Sequence, residues 1–171
     1  MILKYNISNE QIERAKKAYD FTCLKNSITI GKSNIYGAIG EIMVNDIFKT
    51  SIIENTFDYD IIIEGIKIDV KTKKLSEWVK PNLDFHVTIP AFNIRQKCDY
   101  YFFGYSSSEL KTFYLLGYIE KDIFLKESIF KKKGEKDIHG FVLRCDCYTM
   151  QVKDLKEFDI LKLENYDTPN N

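Results

Sequence analysis

Positive charge has no surplus in this sequence: 25 lysines and arginines are matched by 25 aspartates and glutamates, a formal charge of zero. A protein that coats nucleic acid nonspecifically is usually strongly basic, so any polyanion has to be met by a local patch. No apolar run approaches membrane-spanning length, and the opening segment MILKYNISNEQIERAKK lacks the apolar stretch of a secretory signal. A cytoplasmic location is therefore expected. Cysteine is sparse, at Cys23, Cys98, Cys145 and Cys147, and these thiols should stay reduced in that compartment. Cys145-Asp146-Cys147 has only His139 nearby. A zinc site needs a second ligand pair, so free thiols in a strand are the expectation there. Gly31-Lys32-Ser33 lacks the upstream glycine of a phosphate-binding loop, and Ser106-Ser107-Ser108 lacks a histidine partner. Both are better read as loop than as chemistry. No internal repeat and no interdomain linker is visible.

What is present suits one globular domain: 171 residues, 44% apolar and 14% aromatic. Ser8-Asn9-Glu10-Gln11 has the spacing of a capping box. It predicts a helix to about Leu24 with Ile12, Ala15, Tyr19 and Cys23 on its buried stripe. A second helix is predicted over residues 35–48, a short strand over 51–55, and a strand–turn–strand over 57–73. Strands are predicted near 85–89, 98–105, 112–119 and 141–152, with short helices over 121–130 and 153–158. Lys131-Lys132-Lys133 is expected to be a solvated helix terminus. The order implies an α/β fold, one mixed sheet flanked by helices. Residues 1–33 would form an N-terminal helix and loop packed on a core domain of 34–160, and 161–171 a frayed tail.

The most informative stretch is Asp58-Tyr-Asp-Ile-Ile-Ile-Glu-Gly-Ile-Lys-Ile-Asp-Val-Lys-Thr-Lys73. Sorted by strand parity, one face carries Tyr59, Ile61, Ile63, Ile66, Ile68, Val70 and Thr72, and the other Asp58, Asp60, Ile62, Lys67, Asp69, Lys71 and Lys73. A two-residue turn at Glu64-Gly65 would pair residue 60 with 69, their Cβ atoms about 5 Å apart. It would also set Asp58 opposite Lys71. Like charges directly opposite are destabilising, whereas two carboxylates sharing a hard divalent cation are not. Spacing alone leaves a metal site and an ordinary solvated face both open. Glu41 has apolar Val44 and Phe48 on its own side of the second helix, an environment in which a carboxylate usually has a partner.

Asp60, followed by Asp69-Val70-Lys71, resembles the PD-(D/E)xK motif of the restriction-endonuclease-like nuclease superfamily. Gly40-Glu41 in GAIGEIMVNDIF stands where that family places a helical glutamate, and Tyr59 replaces the motif's proline. The segment KNSITIGKSNIYGAIGE with DVKTKK is also similar to poorly characterised, phage-associated members. The resemblance spans roughly residues 34–120. It implies a restriction-endonuclease-like core that hydrolyses phosphodiester bonds in DNA and leaves a 5′-phosphate. Under it, Asp60, Asp69, the Val70 carbonyl and Glu41 would ligate Mg2+, with Mn2+ as a substitute. Lys71 would handle the attacking water and charge on the transition state, and Asp58 is the fallback ligand for a shifted register. Lys73, Lys74 and Lys80 would contact phosphates, Trp78 would stack on an unpaired base, and Gln96 is a further polar candidate. Many such nucleases cut as homodimers, although no dimer face is identified. The alternative is a catalytically inactive module that binds nucleic acid or protein on the same fold.

Overall fold

The computed structural model describes residues 1–21, 35–49, 52–53, 56–136 and 142–158. Strand β1 (Leu3–Asn6) leads into helix α1 (Asn9–Phe21). The capping box forms in both directions: Gln11 N–H donates to Ser8 Oγ at 3.2 Å, and Ser8 N–H donates to Gln11 Oε1 at 2.9 Å. Helix α1 is held on α2 (Ile35–Ile47) by Asp46, which accepts from both Arg14 guanidinium nitrogens at 2.8 and 2.9 Å and from Gln11 Nε2 at 2.8 Å. Ala15 is fully buried at this contact and Ile12 half-buried. The predicted end of α1 at Leu24, and Cys23 with it, lie outside the described residues, as does the C-terminal tail.

A meander of β2 (Ile52–Ile53), β3 (Ile61–Ile63) and β4 (Ile66–Leu75) follows. A crossover then carries β5 (His86–Pro90) and a 3-10 turn (Ala91–Arg95) to β6 (Tyr100–Ser107). After β7 (Thr112–Glu120) and α3 (Lys121–Glu127) come β8 (Ile129–Lys131) and β9 (Cys147–Gln151). The main sheet has the order β1-β7-β6-β4-β3-β2; its pairings are antiparallel except for β4 with β6, which the crossover makes parallel. Three strands, β5-β9-β8, form a second, antiparallel sheet. The fold is thus mixed α/β. No described helix is long and apolar enough to cross a membrane.

The second sheet corrects the expectation of a single one, and it has a consequence for the hairpin. Ile61, Ile63, Ile68 and Val70 pack on α2 through Ile39, Ile42, Met43 and Val44, as parity predicts. The opposite face is also covered, by a core that joins Tyr101 and Phe103 of β6 to Val87 and Ile89 of β5 and Met150 of β9. Side chains alternating away from α2 therefore enter a second interior instead of water. Ile66, assigned to the core face, sits beside the turn and is 42% exposed.

Other differences have local causes. β1 is too short to show a period and exists by pairing with β7. The predicted helix over 153–158 is only a 3-10 turn, Val152–Asp154, after which Lys156 exchanges backbone hydrogen bonds with Tyr118. Lys131-Lys132-Lys133 closes strand β8 and enters a turn, so it is not a helix terminus.

Gly40 sets how closely α2 approaches the sheet. A Cβ added there would stand 2.8 Å from Thr72 Cβ and closer still to Thr72 Oγ1. Gly40→Ala is expected to destabilise the fold by about 1–3 kcal/mol, despite alanine's better helix propensity, because helix and strand must separate. Urea unfolding measures this; an unchanged midpoint would contradict the close packing.

Candidate metal centre

The hairpin adopts the register that its turn residues predict: Ile63 opposite Ile66, Ile62 opposite Lys67 and Ile61 opposite Ile68. Glu64 and Gly65 both have positive φ, 51° and 83°, the requirement of a tight turn that matches strand twist. Regular pairing ends at Ile61, yet Asp60 stays attached to β4. Its N–H donates to Ile68 O at 2.9 Å, and its Oδ2 accepts from Val70 N–H at 2.8 Å. Asp60 is thereby fixed beside Asp69, where the strands begin to separate.

Asp69 is 1% exposed and alternates away from α2. Its Oδ1 accepts from Gln96 Nε2 at 3.1 Å, and its Oδ2 meets the Lys71 ammonium at 2.5 Å. Lys71 is the one polar contact of that oxygen among the described residues. The Gln96 amide also donates to Phe57 O at 2.9 Å, and the Gln96 backbone carbonyl accepts from Lys121 Nζ. Gln96 Oε1 is buried and has no hydrogen-bond partner among the described residues. Glu41 approaches from α2, one residue beyond the Gly40 contact.

Electrostatics bind the four residues into one unit. Burial, then the Asp69 and Glu41 charges, push the Asp60 carboxyl well above its ordinary range; Lys71 and the Val70 N–H oppose this. Burial and Asp69 push Glu41 up to about 7, again against Lys71. For Lys71, burial favours the neutral amine, but the Asp69 and Asp60 charges outweigh it and raise its pKa. The lysine stays an ammonium.

The expected residues Glu41, Asp60, Asp69 and Lys71 are thus brought together. Val70 adjoins them through its N–H, with its side chain in the α2-side core. Asp58 is not opposite Lys71 as an ion pair: its Oδ1 accepts from Lys97 N–H at 3.2 Å, and Lys71 turns to Asp69. Gln96 is corrected from a nucleic-acid contact to a buried, 7% exposed partner of Asp69. Lys73 is committed to β5, donating to Thr88 Oγ1 at 2.8 Å and His86 O at 3.4 Å. Lys74 is exposed, 5.5 Å from the Tyr36 ring centre. Trp78, 89% exposed, and Lys80 project from the loop between β4 and β5.

A cleft of about 270 Å³, lined by Lys71, Thr72, Lys73, Thr88, Asn93 and Phe103 among others, meets the acid group through Lys71. Lys71 spans both environments: its side chain, 20% exposed, contacts Asp69 and lines the cleft. Sequence reasoning missed Thr88 in the cleft wall and Lys121 behind Gln96. Neither carries a motif: Thr88 is placed by the crossover strand β5, and Lys121 by the start of α3, where its N–H donates to Asp99 O at 3.0 Å.

The donor chemistry fits a hard divalent cation: three carboxylates share a mostly buried space, and two have pKa values raised by burial first and by the neighbouring carboxylates second. In the geometry described, however, Lys71 and Gln96 occupy Asp69, and no group of three His, Cys, Asp or Glu side chains among the described residues is already arranged as a ligand set. The chain matches no protein-family profile and no curated protein sequence.

The raised carboxyls carry a stability signature. A group whose folded pKa lies above its unfolded value stabilises the fold at low pH and loses that contribution as pH rises through the folded pKa. For Glu41 that window ends near its value of about 7. Without divalent ions, the melting temperature should fall between about pH 5 and about pH 8. Millimolar manganese should restore it mainly at the upper end. A flat profile, or equal stabilisation by manganese at both pH values, would show that burial and the neighbouring charges do not raise these carboxyls.

Proposed function

We propose that this protein is a metal-dependent nuclease of the restriction-endonuclease-like type, acting on phosphodiester bonds, with DNA as the expected substrate. The observation that carries the reading is the joining of Glu41, Asp60 and Asp69 to one ammonium, Lys71, at the wall of an open cleft. The succession of α2, β2, β3 and β4, followed by a crossover to the parallel strand β6, supports it. That crossover carries β5 and a 3-10 turn.

Glu41, Asp60 and Asp69 would hold Mg2+ or Mn2+, with the Val70 carbonyl as a further oxygen donor. The bound cation supplies Lewis-acid polarisation and makes water a competent nucleophile near neutral pH. Glu41 and Asp60 would release protons as the cation is bound, because their raised pKa values come from burial and from repulsion within the group. Lys71 would exchange its Asp69 contact for a phosphate oxygen in the cleft, placing positive charge where the transition state gathers negative charge. Gln96, donating to Asp69 Oδ1, would keep that carboxylate oriented. Lys74, Lys80 and Trp78 lie on exposed positions suited to phosphates and an unpaired base beyond the cleft.

One observation favours the second reading, a binding module without turnover: Asp69 is already satisfied by Lys71 and Gln96. A cleavage panel separates the two. Single- and double-stranded DNA and RNA are incubated with Mg2+ or Mn2+, beside Asp69→Ala protein and a chelator control. Cleavage that needs metal and Asp69 supports the nuclease. Binding without cleavage of any substrate would overturn it.

A further inference from the structure

We infer that Cys145 and Cys147 form a built thiol pair that closes to an intrachain disulfide on exposure to a low-molecular-weight disulfide. Their sulfurs lie 3.6 Å apart, and Cys147 Sγ also donates to Cys145 O at 3.2 Å. The residue between them holds the corner from both sides. Asp146 O accepts from Ala91 N–H at 2.8 Å, and Asp146 Oδ1 accepts from Lys133 N–H at 2.8 Å. Cys147 is fixed in addition by strand pairing, between Pro90 of β5 and Lys131 of β8. An extended strand would set residues 145 and 147 on one face but about 6.5–7 Å apart along the chain; with Cys145 outside β9, the corner at Asp146 brings the two sulfurs into contact instead.

The two thiols differ in access, which assigns their order of reaction. Cys145 is half-buried, whereas Cys147 is 4% exposed and burial pushes its thiol up to about 12. Cys145, as thiolate, attacks one sulfur of glutathione disulfide; that S–S bond breaks and one glutathione leaves, taking a proton. Cys147 then loses its proton and attacks the Cys145 sulfur of the mixed disulfide, expelling the second glutathione. The protein's thiols give up two electrons and two protons, which end on two glutathione molecules.

Trypsin provides a direct assay, because cleavage after Arg144 and Lys153 leaves Cys145 and Cys147 in one peptide. The full chain is incubated with glutathione disulfide at about pH 8, alkylated and digested. The expected product is the 145–153 peptide, lighter by two hydrogens and unalkylated at both cysteines, with a yield unaffected by Cys98→Ser. A peptide alkylated at both positions, or glutathione retained on Cys145, would overturn the inference. Asp146→Ala, which frees the corner, should lower the yield at a fixed time several-fold. An equal yield would show that the held corner has no part in the pairing.

Discussion

Lys71→Ala is expected to reduce phosphodiester cleavage by at least about 10²–10³-fold, the loss typical of removing one preorganised donor from a developing charge. It should leave manganese binding largely intact, because an ammonium is not a metal ligand. Lys71 also neutralises the acids around it, pairing with Asp69 at 2.5 Å and opposing the raised pKa values of Glu41 and Asp60. Removing one partner of a buried ion pair commonly costs about 3–5 kcal/mol, so metal-free Lys71→Ala protein should be markedly less stable than the parent. Manganese should recover much of that loss. Calorimetric titration and a cleavage time course, run on the same preparation, separate the two roles. Equal loss of metal binding in Lys71→Ala and in an Asp69 variant would contradict the assignment.

Asp69→Asn should have the larger effect on the metal, lowering affinity by at least about 100-fold, together with a complete loss of detectable cleavage. The substitution preserves shape, and the side-chain oxygen can still accept from Gln96 Nε2, so the fold should survive. Burial is the main cause of the raised Glu41 and Asp60 pKa values, and the substitution removes the charge that adds to it. Glu41 should then titrate below its present value of about 7, which carboxyl-detected NMR can read without any metal. A variant that binds manganese like the parent, or in which Glu41 titrates unchanged, would remove Asp69 from the centre.

The part of the site encoded locally was legible in the sequence. Glu64-Gly65 fixes the turn, the turn fixes the register, and the register brings Asp60 to Asp69. The Ser8–Gln11 capping box and the α2 apolar arc were equally readable, since each depends on neighbours a few residues apart. What escaped was set by long-range pairing. The small sheet β5-β9-β8 joins segments about 60 residues apart in sequence. Only once that sheet is in place does the Asp69–Lys71–Lys73 side become an interior. The same pairing accounts for Lys73, which reads as a free basic residue but is held by Thr88 and His86 of β5. Gln96 was noticed as polar and near the site, yet its contact with Asp69 depends on the 3-10 turn that ends one residue earlier.

The most direct test is a crystal soaked in manganese and measured at the manganese absorption edge. The account predicts one anomalous peak or a close pair within about 2.0–2.3 Å of oxygens from Asp60 and Asp69. Glu41 should lie in contact with it or one water away, and Lys71 Nζ should have moved off Asp69 toward the cleft. An Asp69 still paired with Lys71 in fully soaked crystals, with no anomalous density among the three carboxylates, would contradict it.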